Sequence, residues 1–568
     1  MSEIVQAILR RHQQMVSERG VFESRWTEVV NYLLPNRGTF NVKMPQGTAK
    51  SPQYIYDSTG TEALEILASA LHGMLTSPSI PWFILQVADP VLAEARDVKI
   101  WLEMTQRTIL DSLHQSNFVT AMQEFYNDFI GFGTGCMYVE SDPVMGLNFH
   151  VPFLGELYLS ANRYKRIDTV HRVFDMTARQ MVQTWGLEGV SGQVKRVFQF
   201  GPERKFEVLH AVFPRKDSIK GISSKGKEFA SFYLEMDTKH ILSESGYDTM
   251  PYMCPRWSVM SGETYGRGPG LRAMPDIKML QAIVKTGLRG AQKAVDPPIQ
   301  VPDNMVAQRL KLYPGGVNRY RSGSQDRIEP VGNYGANLAM GLEVEERWRQ
   351  AIKRSFYNDL LQLSTEKQMR SAAEAMIRKD DQTQLVMLIL GPVFGRFMVE
   401  FLNPLLNRVM TILADDGKLP PRPPYLEEVQ IRYISPIARA QHQTEVQSIR
   451  NYIEHILPLA QIQPEIMDRI NPDGLSRLIA ADYGVPVEVL RTDEEVRMIR
   501  EQRRQMAEAQ QIADIAKKGG QALRSVGGAD AENLEKVAGL LSGKKVSGVV
   551  EPEFMAEEGI VPEGEIGW

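Results

Sequence analysis

Residues 265–302 read YGRGPGLRAMPDIKMLQAIVKTGLRGAQKAVDPPIQVP, and this stretch decides the fold. A loop rich in glycine and proline ends at Pro275, and a single long helical pattern follows. The pattern stops at Asp296-Pro297-Pro298, because proline cannot continue a helix. One face of this predicted helix is apolar and recurs at helical spacing: Ile277, Leu280, Val284, Leu288, Ala291 and Val295.

A different face of the same helix is basic. Lys278, Lys285, Arg289 and Lys293 follow one another at spacings of seven, four and four, and only Asp276 opposes them. A helix that packs on one side and presents cations on another is suited to a wall that faces a polyanion. Two other interpretations remain open: a solvated helix face, and a stripe that pairs with glutamates of a neighbouring subunit.

The composition limits the function classes. The 568 residues are enough for roughly two to four domains, and a hydrophobic fraction of 43% supports buried cores. The net charge of −4 excludes a globally basic nucleic-acid binder, so any contact with a polyanion must be local. The two cysteines, Cys136 and Cys254, are far apart in the sequence, which favours a reducing compartment over a disulfide framework.

Neither a secretory signal nor a membrane span is expected. The N-terminus, MSEIVQAILRRHQQ, carries charge where a signal peptide would be apolar. The uncharged run Ile66–Ala88 contains His72, Gly73 and the break Ser77–Pro81. The run Gln382–Gly395 is too short to span a membrane and favours a buried helix.

The N-terminal part has a helical pattern interrupted by one strand. Residues 1–34 form one helix that Pro35 ends, and Thr59-x-x-Glu62 is typical of a capping box that opens a second helix. Trp82–Val87 has the composition of a strand. Residues 96–130 form a further helix that ends at the turn Gly131–Gly135.

Residues 136–258 have the alternation and composition of an antiparallel sheet. Turn residues separate the predicted strands, which are Met137–Glu140, Val170–Phe174, Val197–Phe200, Phe206–Phe213 and Phe229–Glu235. Together with the helical parts, this predicts an α+β fold that is mainly helical.

A second helix is predicted at about Leu342–Leu361, joined to the first by a compact basic segment at 296–337. Two such helices with a small domain at the tip form a hairpin. The apolar stretch 371–414 predicts a long helix kinked or divided at Pro392 and Pro404, and 437–518 is mostly helical. The segment after Gly519 is acidic at its end and predicts a flexible tail.

The sequence contains no complete motif for binding a nucleotide phosphate, a dinucleotide or a metal. The nearest phosphate-loop candidate, at Ser542–Lys545, has Ala538 at the first glycine position and Lys545 at the Ser/Thr position. The turn Gly131–Gly135 has the wrong spacing for dinucleotide binding, and no histidine pair or CxxC has metal-ligand spacing. We therefore expect a protein that is not an enzyme, with no catalytic residues, no metal and no cofactor.

The order of several short motifs resembles the portal, or head-to-tail connecting, proteins of tailed bacteriophages, most closely those of short-tailed phages. The resemblance covers about residues 20–435. The matching residues are Arg25-Trp26, Tyr32-Leu33-Leu34-Pro35, Tyr56–Gly60, Leu71–Pro78, Trp82-Phe83, Gly131–Gly135, Tyr265–Gly270 and Pro297-Pro298.

The resemblance implies a homo-oligomeric ring, usually a dodecamer, at one vertex of the capsid in the virion. Double-stranded DNA passes through such a ring without sequence preference, during packaging and again during ejection. The implied partners are the terminase large subunit, the capsid protein, tail adaptor proteins and scaffold protein. Synthesis would take place in the cytoplasm of the bacterial host.

The resemblance also implies a domain order. Residues 1–265 would form the wing, helical first and then β-rich. The remaining expected segments are stem helix 266–295, clip 296–337, stem helix 338–361, channel loop 362–370, wing return 371–436, helical crown 437–518 and flexible acidic tail 519–568.

The candidate residues are basic. Those expected to face DNA in the channel are Lys278, Lys285, Arg289, Lys293, Lys353, Arg354, Lys367 and Arg370. The clip would carry a second basic surface, formed by Arg309, Lys311, Arg319, Arg321 and Arg327. The alternatives are another head-tail structural or adaptor protein without a channel, and a nuclease or packaging ATPase, for which the sequence has no visible motif.

Overall fold

The computed structural model describes most of the chain as far as residue 434 and one helix near the C-terminus. The described residues are 3–40, 54–89, 92–93, 95–215, 226–295, 299–300, 329–330, 338–362, 390–426, 429–434, 452–453, 455–456, 458, 470–476, 491 and 493–525. The chain divides into two compact units, Met1–Val487 and Glu488–Trp568.

The first unit contains ten of the described helices that are named here. They are α1 Glu3–Tyr32, α2 Thr59–Leu75, α3 Arg96–Gln115, α4 Phe118–Phe132, α5 Ala178–Gly189, α6 Gly192–Phe200, α7 Pro269–Val295, α8 Leu338–Ser355, α9 Asn358–Gln362 and α10 Leu390–Asp415. In the second unit the described helix is α11, Asp493–Ser525.

The strands belong to four small antiparallel sheets. They are β1 Phe83–Gln86, β2 Met137–Asp142, β3 Gly146–His150, β4 Leu157–Ala161, β5 Ile167–Thr177, β6 Lys205–Pro214, β7 Phe229–Glu235, β8 Ile241–Tyr247, β9 Tyr252–Met253, β10 Ile299–Gln300, β11 Glu329–Pro330 and β12 Gln430–Tyr433.

The largest sheet is a five-stranded meander in the order β4-β5-β6-β7-β8. Its central strand β6 alternates, because successive side chains point to opposite faces. Leu209 and Ala211 pack against the N-terminal turns of α1, whereas Phe206 and Val208 pack against α5 and α6. The sheet is therefore covered on both faces.

Helix α1 also reaches the main hydrophobic core. Its first turns place Val5 and Ile8 on the sheet, and its last turns place Trp26 and Val29 in the core between the helices. Aromatic rings fill that core, and the rings of Phe125 on α4 and Phe401 on α10 stack with centroids 4.3 Å apart. One helix thus fixes the position of the sheet relative to the helical core.

Strand β1 closes the core by pairing with β12, with Phe83 opposite Tyr433. The smaller three-stranded sheet has the order β3-β2-β9. The strands predicted at 137–140, 170–174, 206–213 and 229–235 lie within β2, β5, β6 and β7, so these four predictions are confirmed.

Three local predictions were wrong. Val197–Phe200 is the end of α6, which Ser191 caps by accepting a hydrogen bond from the Val194 N–H at 3.3 Å. The predicted capping box at Thr59 is absent, because Ser58 precedes the helix and Asp57 Oδ1 accepts the Thr59 N–H. The helix expected over 96–130 is two helices, separated at Ser116.

Helix α10 passes both of its prolines without dividing. Pro392 lies close to Leu390, where the described part of this helix begins, and the predicted start of the helix at 371 lies outside the described residues. Pro404 cannot donate to the Glu400 carbonyl, and a π turn at Met398–Leu402 accommodates the missing bond. By length and composition this one described helix could cross a membrane, but half of its apolar window is buried within the protein. Its burial favours the predicted core helix.

Candidate functional site

Helices α7 and α8 form an antiparallel hairpin, as predicted. Near the base, Arg272 Nη2 donates to the Ser355 carbonyl at 3.2 Å. Further out, a Cβ built on Gly287 would lie 3.1 Å from Glu345 Oε1. The short strands β10 and β11 follow and precede the two helices, and Ile299 pairs with Pro330. The chain that leaves the end of α7 therefore comes back beside it before α8 begins.

Two glycine-rich segments interlock at the base of α7. Gly133 ends α4 in the left-handed region with φ of 80°, and a Cβ at this position would lie 2.2 Å from the Gly268 nitrogen. A Cβ on Gly268 would lie 2.4 Å from the Ile130 carbonyl oxygen. Only glycine allows two backbones to approach this closely. We call this contact the glycine junction; it fixes the start of α7 against the end of α4.

The glycine junction corrects the predicted start of α7. The helix begins at Pro269, six residues before the expected boundary, because proline fits the first helical position. Pro275 therefore lies inside the helix, where its side chain is exposed. The predicted end at the Asp296-Pro297 break is confirmed, since the last helical residue is Val295.

A segment before α2 is clamped to both hairpin helices. Gln281 on α7 is buried, and its Oε1 accepts the N–H groups of Tyr56 and Asp57 at 2.6 and 2.9 Å. Its Nε2 donates to the Asp57 carbonyl at 2.7 Å. From α8, Arg349 Nε donates to Asp57 Oδ2 at 2.9 Å. We call Tyr54–Ser58 the strap; it ties the base of the hairpin to the core.

The apolar face of α7 is covered only at its inner half. Ile277 and Leu280 are fully buried, and Val284 packs partly against the core. Beyond Gly287 the same face is open, with Leu288 51% exposed and Val295 87% exposed. In one copy of the chain, the outer half of the hairpin therefore leaves apolar surface uncovered.

The first two residues of the basic stripe have partners within the chain. Lys278 Nζ lies 2.7 Å from Glu28 Oε1 on α1, and the hydrogen bond to Glu28 raises the pKa of Lys278. The Lys285 ammonium lies 5.3 Å from the centroid of the Tyr56 ring in the strap, within cation–π range. Both contacts lie at the inner half of the hairpin.

The outer cations extend into solvent. Arg289 and Lys293 are exposed, on the same side of α7 as Lys285. On α8, Lys353 is half-buried, whereas Arg354 is largely exposed and lies 3.5 Å from Asp359. The predicted candidates Lys367 and Arg370, and the five clip residues Arg309, Lys311, Arg319, Arg321 and Arg327, lie outside the described residues.

Sequence reasoning missed a buried ion pair beside the glycine junction. Arg256 is 3% exposed, and its Nη2 lies 2.7 Å from Glu400 Oε1 in the π turn of α10. The Arg256 N–H also donates to Glu400 Oε2 at 3.1 Å. The two residues are 144 positions apart, so no local pattern could have paired them.

The cysteines that are distant in sequence meet in the fold. Cys136 and Cys254 extend the pairing of β2 with β9, and their Sγ atoms lie 3.3 Å apart as free thiols. Burial, followed by the neighbouring thiol, raises the pKa of Cys136. A buried thiol with a raised pKa is a poor nucleophile. Among the described residues, no group of three His, Cys, Asp or Glu side chains could hold a metal.

With this geometry established, comparison with protein families gives a match along most of the chain. The model described as "Bacteriophage head to tail connecting protein" matches residues 5–490. This chain belongs to that family. The resemblance noted in the sequence is thereby confirmed.

Two curated relatives of the connecting-protein family match nearly the full chain. The portal protein of Salmonella phage epsilon15 is 33% identical over 544 residues, covering 94% of this chain and 97% of the relative. The probable portal protein of Bordetella phage BPP-1 is 31% identical over 542 residues, covering 92% and 95%. These names describe phage portal proteins and no enzyme.

Solved structures give a more distant likeness. A chain from the virion of a native gene transfer agent particle matches with a TM-score of 0.34 and 10% identity, covering 70% of this chain and 86% of that chain. A chain from the neck of an empty gene transfer agent particle gives the same TM-score at 11% identity. Membership of the connecting-protein family rests on the sequence matches.

Proposed function

We propose that this chain forms the portal ring at one capsid vertex, and that double-stranded DNA passes through the ring during packaging and ejection. The observation that carries the proposal is the α7–α8 hairpin of a connecting-protein family member. One side of the hairpin presents cations, and its outer half presents apolar surface that one copy leaves uncovered. The protein would act by conducting and docking, without catalysis.

The uncovered apolar surface supports assembly into a ring. Leu288 and Val295 on α7, with Leu342 on α8, are at least half exposed in the single chain. Contiguous apolar surface of this kind marks an interaction site. A neighbouring copy that supplies the same hairpin would bury it, and repetition of one such contact around an axis closes a ring. A dodecamer is the proposed closed form.

The basic stripe supports contact with DNA backbones. Phosphate contacts carry no sequence information, which suits a channel that must pass any sequence. The proposed channel residues remain Lys278, Lys285, Arg289, Lys293, Lys353, Arg354, Lys367 and Arg370. Among those described, Arg289 and Lys293 on the outer half of α7 are exposed. The Glu28 partner makes Lys278 the least available.

The proposed domain order is the one that the resemblance to connecting proteins implies, with the hairpin as the stem. Residues 1–265 and 371–436 would form the wing, with the stem at 266–295 and 338–361. The clip 296–337, the channel loop 362–370, the crown 437–518 and the acidic tail 519–568 complete the proposed order. The clip and its basic residues would dock the terminase large subunit and then the tail adaptor proteins. The wing would contact capsid and scaffold proteins.

Electron microscopy of the purified chain, combined with its mass in solution, tests the proposal. We expect a closed ring with an axial hole wide enough for duplex DNA. The same particles should be counted with and without scaffold and capsid proteins, since closure can require them. Compact particles without a hole under every one of these conditions would contradict the proposal.

A second candidate is a head-tail adaptor that docks without conducting DNA. The paired state of Lys278 and of Arg354 favours this candidate, because partners within the chain reduce the charge available to DNA. Rings whose packaging is insensitive to the charge of Arg289 and Lys293 would support the adaptor.

A further inference from the structure

The turn between β4 and β5 concentrates charge at the edge of the five-stranded sheet. Its five residues, 162–166, read NRYKR and contain no acidic residue. Arg163, Lys165 and Arg166 are exposed, and Tyr164 is 67% exposed. We call these residues the basic turn. They are remote in sequence from the hairpin and are not among the proposed channel residues.

Hydrogen bonds hold the basic turn in one conformation. Asn162 Oδ1 accepts the N–H groups of Tyr164 and Arg166 at 2.9 and 3.1 Å. The backbone closes as well, since the Asn162 N–H donates to the Arg166 carbonyl and the Lys165 N–H donates to the Asn162 carbonyl, both at 2.8 Å. Lys165 adopts a φ of 60°, which fixes the direction of the turn.

The buried ion pair anchors the basic turn to the core. Arg256 Nη2 donates to the Lys165 carbonyl at 2.5 Å and also contacts Glu400. Glu400 lies 4.0 Å from a further cation, Arg396, which is 38% exposed. The turn is thus preorganised, and a ligand that binds it loses little conformational entropy in ordering the loop.

The charge of the basic turn is not compensated nearby. Within the described parts of the chain, no carboxylate forms an ion pair with Arg163, Lys165 or Arg166. Their immediate anchor adds Arg256 and Arg396 but only one carboxylate, Glu400. Because Arg256 is buried and paired with Glu400, the patch consists of the three exposed cations of the turn, on a chain whose net charge is −4. Such a patch attracts a polyanion.

The geometry points to the basic turn as a second contact for the phosphate backbone of double-stranded DNA, separate from the hairpin stripe. Protein–protein interfaces have an apolar centre, and the tip of this turn offers only Tyr164. Cations on a rigid loop match the phosphate contacts that supply sequence-independent binding. This inference rests on the proposed function, because it takes DNA as the polyanion that the protein meets.

Binding of a fluorescent mixed-sequence DNA duplex to the purified full-length protein tests the basic turn. The test variant is R163Q/K165Q/R166Q, and the matched control R196Q/K205Q/K239Q removes the same charge from exposed positions elsewhere on this domain. We expect the test variant to lose about tenfold or more in affinity at low salt, and its plot of log affinity against log salt to flatten by about 2 to 3. The control should bind like the unchanged protein.

Substitutions that preserve the charge add a readout of geometry. R163K/K165R/R166K preserves the charge and should restore binding, whereas N162A keeps every cation but removes the acceptor that shapes the turn. We expect N162A to weaken binding by severalfold. Far-ultraviolet circular dichroism should be the same for every variant, because none of the substituted residues is buried.

Other outcomes would overturn the assignment. Equal loss in test variant and control would mean that binding follows total charge, and no loss in the test variant would exclude the turn as a contact. If polyglutamate competes as well as duplex DNA, the turn binds an acidic protein surface instead. Any of these results could occur while microscopy still shows rings with an axial hole. In that case the basic turn would be excluded as a DNA contact, but the proposed portal function would stand.

Discussion

Gly268 fixes the direction of α7 because it has no side chain. A Cβ at this position would meet backbone atoms of Ile130 and Gly133 at 2.4 to 3.0 Å, and backbone cannot move aside as a flexible side chain can. We expect Gly268→Ala to lower the free energy of unfolding by about 1–3 kcal/mol, which is the usual cost of overpacking. Urea titration monitored by tryptophan fluorescence measures this difference.

A glycine in open space provides the control. Gly73 on α2 has no atom within 4 Å of the position that a Cβ would occupy. Gly73→Ala should therefore be neutral or stabilising by up to about 1 kcal/mol, since alanine favours the helix. Equal effects at the two positions would show that the glycine junction does not constrain α7.

Buried histidines make the fold sensitive to acid. Burial, followed by the charges of His12 and Arg11, lowers the pKa of His171 to about 3, and neither of its ring nitrogens has a hydrogen-bond partner. Burial, followed by Arg19, lowers the pKa of His12 to about 4. The unfolded chain takes up these protons below pH 6.5, but the folded chain does not. Stability is therefore present above pH 6.5 and falls as the pH drops toward the folded values.

The substitution His171→Phe tests this acid sensitivity. Between pH 7 and pH 5 the histidine should account for about 2 kcal/mol of lost stability, and phenylalanine, which cannot take up a proton, should remove that share. The control substitution, His114→Gln, replaces an exposed histidine. An identical acid loss in all three proteins would assign it to groups other than His171.

At the scale of elements, the strap determines how firmly the hairpin is held. Gln281→Ala would leave the two N–H groups of Tyr56 and Asp57 and the Asp57 carbonyl without partners. An unsatisfied buried group costs about 1–3 kcal/mol. Because these groups are only partly buried, we expect a loss of about 1–2 kcal/mol in unfolding free energy.

Hydrogen exchange separates loss of the strap from general destabilisation. In Gln281→Ala, exchange should accelerate first in residues 54–58 and in the base of α7. Gln13→Ala, at an exposed position on α1, serves as control and should change neither the stability nor the exchange pattern. Uniform acceleration across the sheet would contradict a local clamp.

Elements with a strong local signal were predictable from the sequence. The end of α7 follows from two consecutive prolines, and β7 occupies the predicted residues because β-rich composition and flanking turns agree there. The apolar run at 197–200 was misassigned because a short run of this kind suits a strand or a helix equally. Only the Ser191 cap, upstream of the run, decides for the helix.

The contacts between distant segments were not predictable. Residues 131–135 and 265–270 each indicate a turn, but nothing local says that the two turns fit together. The partner of Lys278 is Glu28, 250 positions away, so the stripe appears less opposed in the sequence than in the fold. The sequence identified the basic face of α7; the tertiary structure determines which of its cations have partners.

At the scale of the whole molecule, the prediction concerns DNA transport. K285E/R289E should leave ring formation intact and reduce the yield of DNA-filled heads by about tenfold, because the reversed charges repel phosphate. The measurement is packaging in cells that supply the variant in trans, with ring assembly followed by microscopy. K195E/R196E, with the same charge change on α6, should package normally.

Failure of the variant to assemble would give the basic stripe a role in subunit contact instead of DNA contact. If K285E/R289E subunits fail to assemble, the stripe forms ion pairs between neighbouring copies. The uncovered Leu288 lies one residue from Arg289, so a subunit contact and a DNA contact would lie close together on α7. Measuring ring assembly and DNA packaging separately distinguishes the two roles.

The pairing of β1 with β12 has a consequence for the order of events on the ribosome. Residues 83–86 leave the exit tunnel early, but their partners at 430–433 emerge only after the whole hairpin has been synthesised. Until then, β1 lacks its partner strand, and unpaired strand edges recruit other chains. Completion of the helical core must therefore wait until most of the chain has been translated, which makes the nascent protein a natural client for chaperones that shield exposed strands.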